Sequence, residues 1–276
     1  MPRSFRYVIA DVFTDVPLAG NQVAVFTDAT QIPEELLQPL AREVNFSETV
    51  FVYPAGGEGH VRLRIFTPGR ELPFAGHPVL GAAFVLAAPL QLGEIRLETV
   101  RGVVPVRVER EGARIVFGRM EQPVPSDAPF ERAEELLALL GVESELPVEL
   151  YDNGVPHVYL ALGSADEVAS LRPDFSRLAA VGDVGVNCFA GSGRRWTTRC
   201  FVPAFAVPED PATGSAAGPF ALHLARHGRI GFGDEIEIEQ GAAVGRPSTL
   251  YAVAHSPERI EVGGSAVVVA RGEFRL

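Results

Sequence analysis

One carboxyl-bearing residue, Glu48, lies within a stretch of sequence that otherwise resembles a buried β-strand, VNFSETVFVYP at residues 44–54. Side chains alternate between the two faces of a strand, so residues of the same parity share a face. Glu48 has the parity of four apolar residues: Val44, Phe46, Val50 and Val52. A carboxyl group on an apolar face must be paired, protonated or directed into a cleft. The alternative is a strand that begins only at Glu48, with this side chain in solvent.

Three more polar residues lie beside Gly-rich turns, each just before or at the start of a predicted helix. His77 is found in AGHP, and Asp210 and Ser215 are found in EDPATGSA. Each has an ordinary structural explanation, as a capping or core histidine, a helix-flanking acid and a helix cap. Ser215 is not part of a G-x-S-x-G motif, so a serine hydrolase is not indicated. With Glu48, these residues form a candidate polar group on an apolar scaffold.

An internal repeat predicts how these residues are positioned. RIFTP (64–68) matches RCFVP (199–203) at an offset of 135 residues, and PFAGHP (73–78) matches PATGSA (211–216) at an offset of 138. Each half therefore contains a strand, a turn, P-x-x-G and a helix of mostly small and apolar residues, which is typical of a buried helix. The N–H groups at two such helix starts, facing one cleft, would form a binding site for a carboxylate.

Composition excludes several functional classes. The chain has 276 residues and a net charge of −11, which argues against nucleic-acid binding because that needs a basic surface. All 24 basic residues are arginine, so neither a pyridoxal-phosphate Schiff base nor a P-loop lysine is available. Cys188 and Cys200 match neither a metal-binding spacing nor a disulfide framework. The absence of a signal peptide or a long apolar segment predicts a cytoplasmic protein.

Four segments resemble the signature segments of the phenazine-biosynthesis PhzF-like isomerase family, in its order and at its spacing. They are DVFTDVPLAGNQVAVF, NFSETVFV, RIFTPGRELPFAGHPVLGAAFVL and RCFVPAFAVPEDPATGSAAGPFALHL. One departure occurs at Gln22, where the family commonly has proline, and we expect this change to affect a turn more than the chemistry. The resemblance implies an α+β fold similar to diaminopimelate epimerase, with two pseudo-symmetric domains. Each domain would wrap a curved, mostly antiparallel sheet around a central helix.

The resemblance also implies the site. The family's catalytic glutamate, histidine and aspartate fall on Glu48, His77 and Asp210. Its pocket-lining positions are Ser47, Gly76, Gly214 and Ser215. The two halves are predicted to span residues 1–120 and 121–276, with the C-terminal strand free to return to the first half. Two-cysteine racemases of the same fold carry a cysteine at each central helix start, where this chain has His77 and Ser215.

These observations predict a cofactor-independent isomerase, with no metal, that acts on a small carboxylate-bearing substrate. Glu48 would move a proton between two positions on one face of the substrate. The family resemblance implies an activity of the trans-2,3-dihydro-3-hydroxyanthranilate isomerase type. Two alternatives remain open at this stage. One is an amino- or hydroxy-acid racemase or epimerase in which His77, the only near candidate, is the second base. The other is a non-catalytic small-molecule binding protein. The family resemblance also implies a homodimer.

Overall fold

The computed structural model describes residues 3–276 and shows an α+β protein dominated by strands. Six α-helices are present in this range: α1 (Glu34–Val44), α2 (Gly76–Leu90), α3 (Ala133–Leu140), α4 (Ala165–Ser170), α5 (Phe175–Ala179) and α6 (Gly214–Arg226). The strands of the first half are β1 (Ser4–Val12), β2 (Asn21–Phe26), β3 (Glu48–Pro54), β4 (Val61–Phe66), β5 (Glu71–Leu72), β6 (Glu94–Thr99), β7 (Gly102–Glu111) and β8 (Arg114–Gln122). The remaining strands are β9 (Ser126–Pro129), β10 (Glu149–Asp152), β11 (Pro156–Ala161), β12 (Gly185–Ser192), β13 (Arg195–Val202), β14 (Val207–Asp210), β15 (Glu235–Gln240), β16 (Ser248–Ser256), β17 (Arg259–Gly264) and β18 (Ala266–Arg275).

The same series of strand pairings occurs twice along the chain. In the first half, β1–β2 is antiparallel, β2–β3 parallel, β3–β4 antiparallel and β4–β6 parallel. In the second half, β10–β11, β11–β12, β12–β13 and β13–β15 repeat this order of directions. The short strands β5 and β14 pair with β4 and β13 in the same way. The predicted fold class, two related halves of mostly antiparallel sheet, is therefore confirmed.

Each half is organised around its central helix. Helix α2 contacts β1, β2, β3, β6, β7, β8 and β18, so the sheet wraps around it. Helix α6 contacts β16 and β17, and the Tyr159 hydroxyl on β11 donates a hydrogen bond to the carbonyl of Ala216 within α6. Residues of both helices belong to one hydrophobic cluster, while smaller clusters lie beneath α1 and beneath α3 to α5. Burial on every side explains why the two central helices carry so few polar residues.

One strand pairing joins the two halves, and another brings the C-terminal strand back to the first half. Strand β8 pairs antiparallel with β17, which joins the two sheets. Strand β18 pairs antiparallel with β1, so the C-terminal strand lies against the N-terminal one. Whether the halves are best divided between residues 120 and 121 stays a prediction.

The start of β3 differs from the single strand that the parity of residues 44–54 suggested. Helix α1 continues to Val44, and the chain turns at Asn45, whose φ of 55° ends the helix in the left-handed conformation. Phe46 lies in the following loop, and the strand begins only at Glu48. Val44 and Phe46 are therefore not part of the strand, although Val50 and Val52 do face the main core that surrounds α2. Glu48 has their parity and is directed toward the start of α2.

Within the part of the chain that the structure describes, no helix is both long enough and apolar enough to cross a membrane.

Candidate active site

The N-terminal ends of the two central helices touch at the centre of the molecule. A Cβ atom built on Gly76 would lie 2.3 Å from the carbonyl carbon of Gly214, and one built on Gly214 would lie 2.8 Å from the backbone nitrogen of His77. No side chain larger than hydrogen fits at either position, so the two backbones can approach closely. Gly76 and Gly214 therefore form the contact between the helix starts, and the polar side chains lie around this contact.

Glu48 is a nearly buried carboxyl group beside a neutral imidazole. Its Oε2 atom lies 3.3 Å from Nε2 of His77, and its side chain is 15% exposed. Burial raises the pKa of Glu48 well above its usual range, and the charge of Asp210 raises it further. Among the described residues, Oε2 has no hydrogen-bond partner. A desolvated carboxyl group with an unpaired oxygen is suited to accepting and releasing a proton.

Hydrogen bonds hold the imidazole of His77 in one orientation and one tautomer. The side-chain amide of Asn21 lies 3.1 Å from Nδ1, and the carbonyl of Gln22 lies 3.2 Å from Nε2. A carbonyl oxygen can only accept, so Nε2 carries the proton of the neutral ring and donates to Gln22, and the unprotonated Nδ1 faces the Asn21 amide. Burial lowers the pKa of His77 to about 4, although the charge of Asp210 opposes this shift. His77 is therefore neutral near pH 7.

Gln22 itself lies inside β2, opposite Asp11 of β1. The expectation that its departure from proline would affect a turn is therefore wrong. Its contribution to the site is a backbone carbonyl, which any residue at this position would supply.

Asp210 is held by donors from both halves of the chain. Its Oδ1 atom accepts a hydrogen bond from the amide nitrogen of Asn21 at 2.9 Å, and its Oδ2 atom accepts one from the Thr213 hydroxyl at 2.8 Å. Gln240 supports this arrangement by donating to the carbonyl of Asp210 and to the oxygen of Thr213. Asn21 thus connects His77 to Asp210 and couples the two helix starts.

Ser215 has a different neighbour, His157 on β11. The distance from Nε2 of His157 to the Ser215 hydroxyl oxygen is 2.9 Å, and both residues are buried. Burial lowers the pKa of His157 to about 3, so this imidazole is also neutral.

A cavity of about 30 Å³ lies where these groups converge. Four predicted site residues line it: Ser47, Glu48, Asp210 and Ser215. Thr67, His157 and Thr213 also contribute polar groups, and the rest of the wall is apolar, from Leu72, Val155, Val202, Phe205 and Val207. The structure therefore brings two carboxyl groups, four hydroxyl groups and one imidazole to one space between the halves.

Comparison with known proteins identifies the family. The model of the family described as phenazine biosynthesis-like protein matches residues 10–272. An isomerase from Pseudomonas fluorescens, named trans-2,3-dihydro-3-hydroxyanthranilate isomerase, is 47% identical over 276 residues, covering 98% of this chain and 99% of that protein. The chain belongs to the phenazine biosynthesis-like family. Its characterised relatives are isomerases, which confirms the predicted enzyme class.

Solved structures agree with this assignment. The structure of a protein named as a predicted epimerase, from Pseudomonas aeruginosa, superimposes with a TM-score of 0.85 at 31% identity, covering 98% of this chain and 99% of the other. A hydroxyproline epimerase from Agrobacterium vitis has a TM-score of 0.67 at 13% identity, covering 99% and 93%, respectively. The second comparison shows that the epimerase-like fold extends beyond the phenazine biosynthesis-like family.

Both cysteines lie in strands, away from the starts of the central helices. Cys188 lies in β12 and Cys200 in β13, and both are fully buried. Burial raises the pKa of the Cys188 thiol to about 12 and also raises that of Cys200. Neither thiol lies at the start of a central helix, where this chain has His77 and Ser215.

One cluster with metal-ligand chemistry was missed in the sequence. His223 and His227 are separated by one helical turn near the end of α6, and Glu149 lies beside them, so that three ligand atoms fall within 4.8 Å of one another. Oε2 of Glu149 lies 3.1 Å from Nδ1 of His223, 2.9 Å from Nε2 of His227 and 3.0 Å from the Tyr151 hydroxyl. Hydrogen bonding to one carboxylate therefore accounts for this cluster.

Proposed function

We propose that this protein isomerises a small cyclic carboxylate of the trans-2,3-dihydro-3-hydroxyanthranilate class by moving one proton with Glu48. The observation that carries the proposal is the environment of Glu48: a desolvated carboxyl group with a raised pKa, an unpaired oxygen and a place in the wall of the central cavity. The 47% identity to the Pseudomonas fluorescens isomerase supports this substrate class.

In the proposed reaction, the carboxylate form of Glu48 removes a proton from a substrate carbon. The electron pair of the broken C–H bond delocalises into the substrate, and Glu48 becomes a carboxylic acid. The acid then returns the same proton to a second carbon on the same face, which restores the carboxylate. One group can perform both steps because its pKa is raised toward neutral pH, where the carboxylate and the carboxylic acid are closer in free energy.

His77 and Asp210 would hold Glu48 and the substrate in position. His77 is neutral, and its Nε2 lies 3.3 Å from Oε2 of Glu48, so its ring lies against the carboxyl group without neutralising it. Asp210 keeps the pKa of Glu48 high through its negative charge. Ser47 and Ser215 offer hydroxyl groups to the polar substituents of the substrate.

The cavity must widen before a six-membered ring can enter. A volume of about 30 Å³ is close to the share of one water molecule in the liquid. Since the wall is formed by residues of both halves, a relative movement of the halves would enlarge it. Closure over the substrate would exclude water from the proton that Glu48 carries.

Glu48→Gln tests the proposal, because it preserves the shape of the side chain and removes the transferable proton. We expect turnover of trans-2,3-dihydro-3-hydroxyanthranilate to fall by about 10²–10⁴-fold, with little change in affinity. In deuterium oxide, the product should carry deuterium at the carbon that gains the hydrogen only to the extent that the Glu48 proton exchanges with solvent between the two steps. Glu58→Gln, at an exposed residue, is the matched control. A fully active Glu48→Gln variant would rule out the proposed mechanism.

A racemase or epimerase is the second candidate, because the fold is shared with a hydroxyproline epimerase. It needs a second base across the cavity from Glu48. His77 is no longer the only near candidate, since His157 lines the same cavity. However, Nε2 of His157 is hydrogen-bonded to Ser215. Retention of configuration in the recovered substrate after exchange in deuterium oxide would favour the isomerase, and inversion would favour the racemase.

We also propose a cytoplasmic homodimer that works without a metal or organic cofactor. Every group in the proposed reaction belongs to the chain itself, so turnover should survive treatment with a chelator. The homodimer is supported by the family resemblance and by β18, for which the described residues give a pairing with β1 alone. Light scattering should then give twice the 29.6 kDa mass of the chain, and a monomer mass at micromolar concentration would contradict the dimer.

A further inference from the structure

The second half of the molecule contains a polar pair that corresponds to Glu48 and His77 of the first half. His77 and Ser215 occupy matching positions at the starts of α2 and α6, by the offset of 138 residues. On the strands, Val23 of β2 is opposite Glu48 of β3, whereas His157 of β11 is opposite Gly185 of β12. Glu48 and Gly185 therefore occupy matching positions, at the start of the second strand of each parallel pair.

Gly185 makes room for the imidazole of His157. A Cβ atom at this position would lie 2.5 Å from Nδ1 and 3.0 Å from Cε1 of the ring. The place that corresponds to the catalytic carboxyl group is thus occupied by an imidazole from the neighbouring strand. Such a close fit fixes the ring position by packing alone.

The hydrogen bonds of His157 determine which nitrogen carries its proton. The amide nitrogen of Asn187 lies 3.3 Å from the carbonyls of both Val158 and Gly185, which fixes the amide with its N–H groups toward acceptors. The same nitrogen lies 3.4 Å from Nδ1 of His157, and because an amide nitrogen does not accept hydrogen bonds, a proton on Nδ1 would have no acceptor there. A neutral imidazole then carries its proton on Nε2, and this N–H donates to the Ser215 hydroxyl at 2.9 Å.

This geometry leaves the Ser215 hydroxyl with one direction for its own proton. Its oxygen accepts from His157, so the O–H group cannot donate back to that imidazole. Ser215 and Glu48 line the same cavity, and the start of α6 favours a negative group beside Ser215. A substrate carboxylate is the acceptor that fits a fixed O–H donor at a helix start.

We propose that His157 is a positioning residue that holds the Ser215 hydroxyl as a hydrogen-bond donor to the substrate carboxylate. This inference rests on the proposed function and assigns a role to each side of the cavity. Glu48 handles the proton, and the His157–Ser215 pair binds the carboxylate at the opposite helix start. The pair acts in binding, so its loss raises KM more than it lowers kcat.

A double-mutant cycle with Ser215→Ala and His157→Leu tests this assignment. We expect each single variant to raise KM for trans-2,3-dihydro-3-hydroxyanthranilate by about 10–100-fold, the usual effect of losing a hydrogen bond to a charged group. The double variant should be little worse than either single variant, because both remove the same interaction. His157→Gln, whose amide can donate from the position of Nε2, should stay near wild type.

Binding of two stable aromatic probes identifies the substrate group. 3-Hydroxyanthranilate should bind the two single variants 10–100-fold more weakly than it binds the wild type. 2-Aminophenol, which lacks the carboxylate, should bind all of these proteins equally. Additive losses in the cycle, or an equal loss of both probes, would overturn the assignment. Melting temperatures of the variants show whether a loss of binding comes from misfolding. If His157→Leu does not fold, the comparison of Ser215→Ala with His157→Gln replaces the cycle.

Failure of this inference is distinguishable from failure of the proposed function. If Glu48→Gln abolishes turnover and the cycle is additive, only the role of His157 is wrong. If Glu48→Gln remains active, the proton-transfer mechanism is wrong, while the binding cycle still reports on His157 and Ser215.

Discussion

At the scale of single residues, the site consists of ionisable groups whose surroundings separate their protonation states. Burial raises the pKa of Glu48 and lowers that of His77, so the acid keeps its proton more readily and the imidazole gives its proton up. The two groups lie 3.3 Å apart without forming a strong ion pair. A neutral histidine leaves the carboxyl group free to exchange its proton with a substrate.

Asp210→Asn should shift the pH dependence of turnover. The negative charge of Asp210 raises the pKa of Glu48, so its removal should lower that pKa toward the value set by burial alone. The carboxylate form, which starts the proposed reaction, would then persist to lower pH. We therefore expect the acidic limb of the kcat/KM profile to move to lower pH, together with a reduced maximum because Asp210 also fixes Asn21 and Thr213.

Asp166→Asn makes the same change of charge at an exposed residue and should leave the profile unchanged. A shift of the acidic limb to higher pH in Asp210→Asn would contradict the assignment of this limb to Glu48.

At the scale of elements, the sequence repeat corresponds to a repeated ion pair. In RIFTP, Arg64 on β4 forms two hydrogen bonds with Glu71 on β5 and lies over the ring of Phe66. In RCFVP, Arg199 on β13 forms the same pair with Glu209 on β14 and lies over Phe201. The paired hydrogen bonds between guanidinium and carboxylate, together with the aromatic contact, hold each short strand in place just before a central helix.

The two copies of this ion pair should differ in their effect on stability. Arg199 and Glu209 are 9% and 7% exposed, and Arg199 also donates to carbonyls at the end of α4, whereas Arg64 and Glu71 are 23% and 35% exposed. Arg199→Met leaves a buried carboxylate without its partner, so the free energy of unfolding should fall by about 3–5 kcal/mol. Arg64→Met, the matched variant, should cost roughly 1 kcal/mol.

Urea unfolding measures both values. Adding Glu209→Gln to Arg199→Met should recover part of the loss, because it removes the unpaired charge. Equal losses at the two positions would show that burial does not distinguish the copies.

The elements differ in how well the sequence predicted them. Glu48, His77, Asp210 and Ser215 stood out because polar residues are unusual at buried helix starts, and the repeat aligned the two starts. Asn21 and His157 did not stand out, because a polar residue in a strand is common and neither lies at a helix start. Their partners are 189 and 58 residues away along the chain, so only the folded structure shows these hydrogen bonds.

The boundary of β3 shows a related limit. The parity of residues 44–54 suggested one strand, because periodicity alone does not reveal the left-handed turn at Asn45. Glu48 nevertheless lies on the same face of the strand as Val50 and Val52, and its side chain is mostly buried.

At the scale of the whole molecule, duplication placed two central helices end to end, and burial around them enclosed histidines as well as apolar residues. Burial lowers the pKa of His77 and His223 to about 4 and that of His157 to about 3. In the unfolded chain, all three would titrate near 6.5. Between about pH 4 and 6.5, the native protein therefore binds fewer protons than the unfolded chain does.

Stability should consequently fall as the pH is lowered through this window. Each buried histidine contributes up to about 1.4 kcal/mol per pH unit to the slope of the free energy of unfolding. Glu48 acts in the opposite direction, because its raised pKa makes the native state bind more protons above the usual pKa of a glutamate. Three histidines against one glutamate give a net loss of stability toward acid. Urea unfolding at intervals from pH 4.5 to 7.5 should show it.

His157→Gln removes one of these titrating groups and should flatten the slope by up to about 1.4 kcal/mol per pH unit near pH 5. His255→Gln, at an exposed histidine, should leave the slope as it is in the wild type. The pairing of variants matters because a general effect of losing any histidine would change both slopes alike. If His157→Gln unfolds with the wild-type pH dependence, His157 takes up its proton at the same pH in the native state as in the unfolded chain. Below that pH, Nδ1 would be a donor, and the fixed tautomer that holds the Ser215 hydroxyl would be lost.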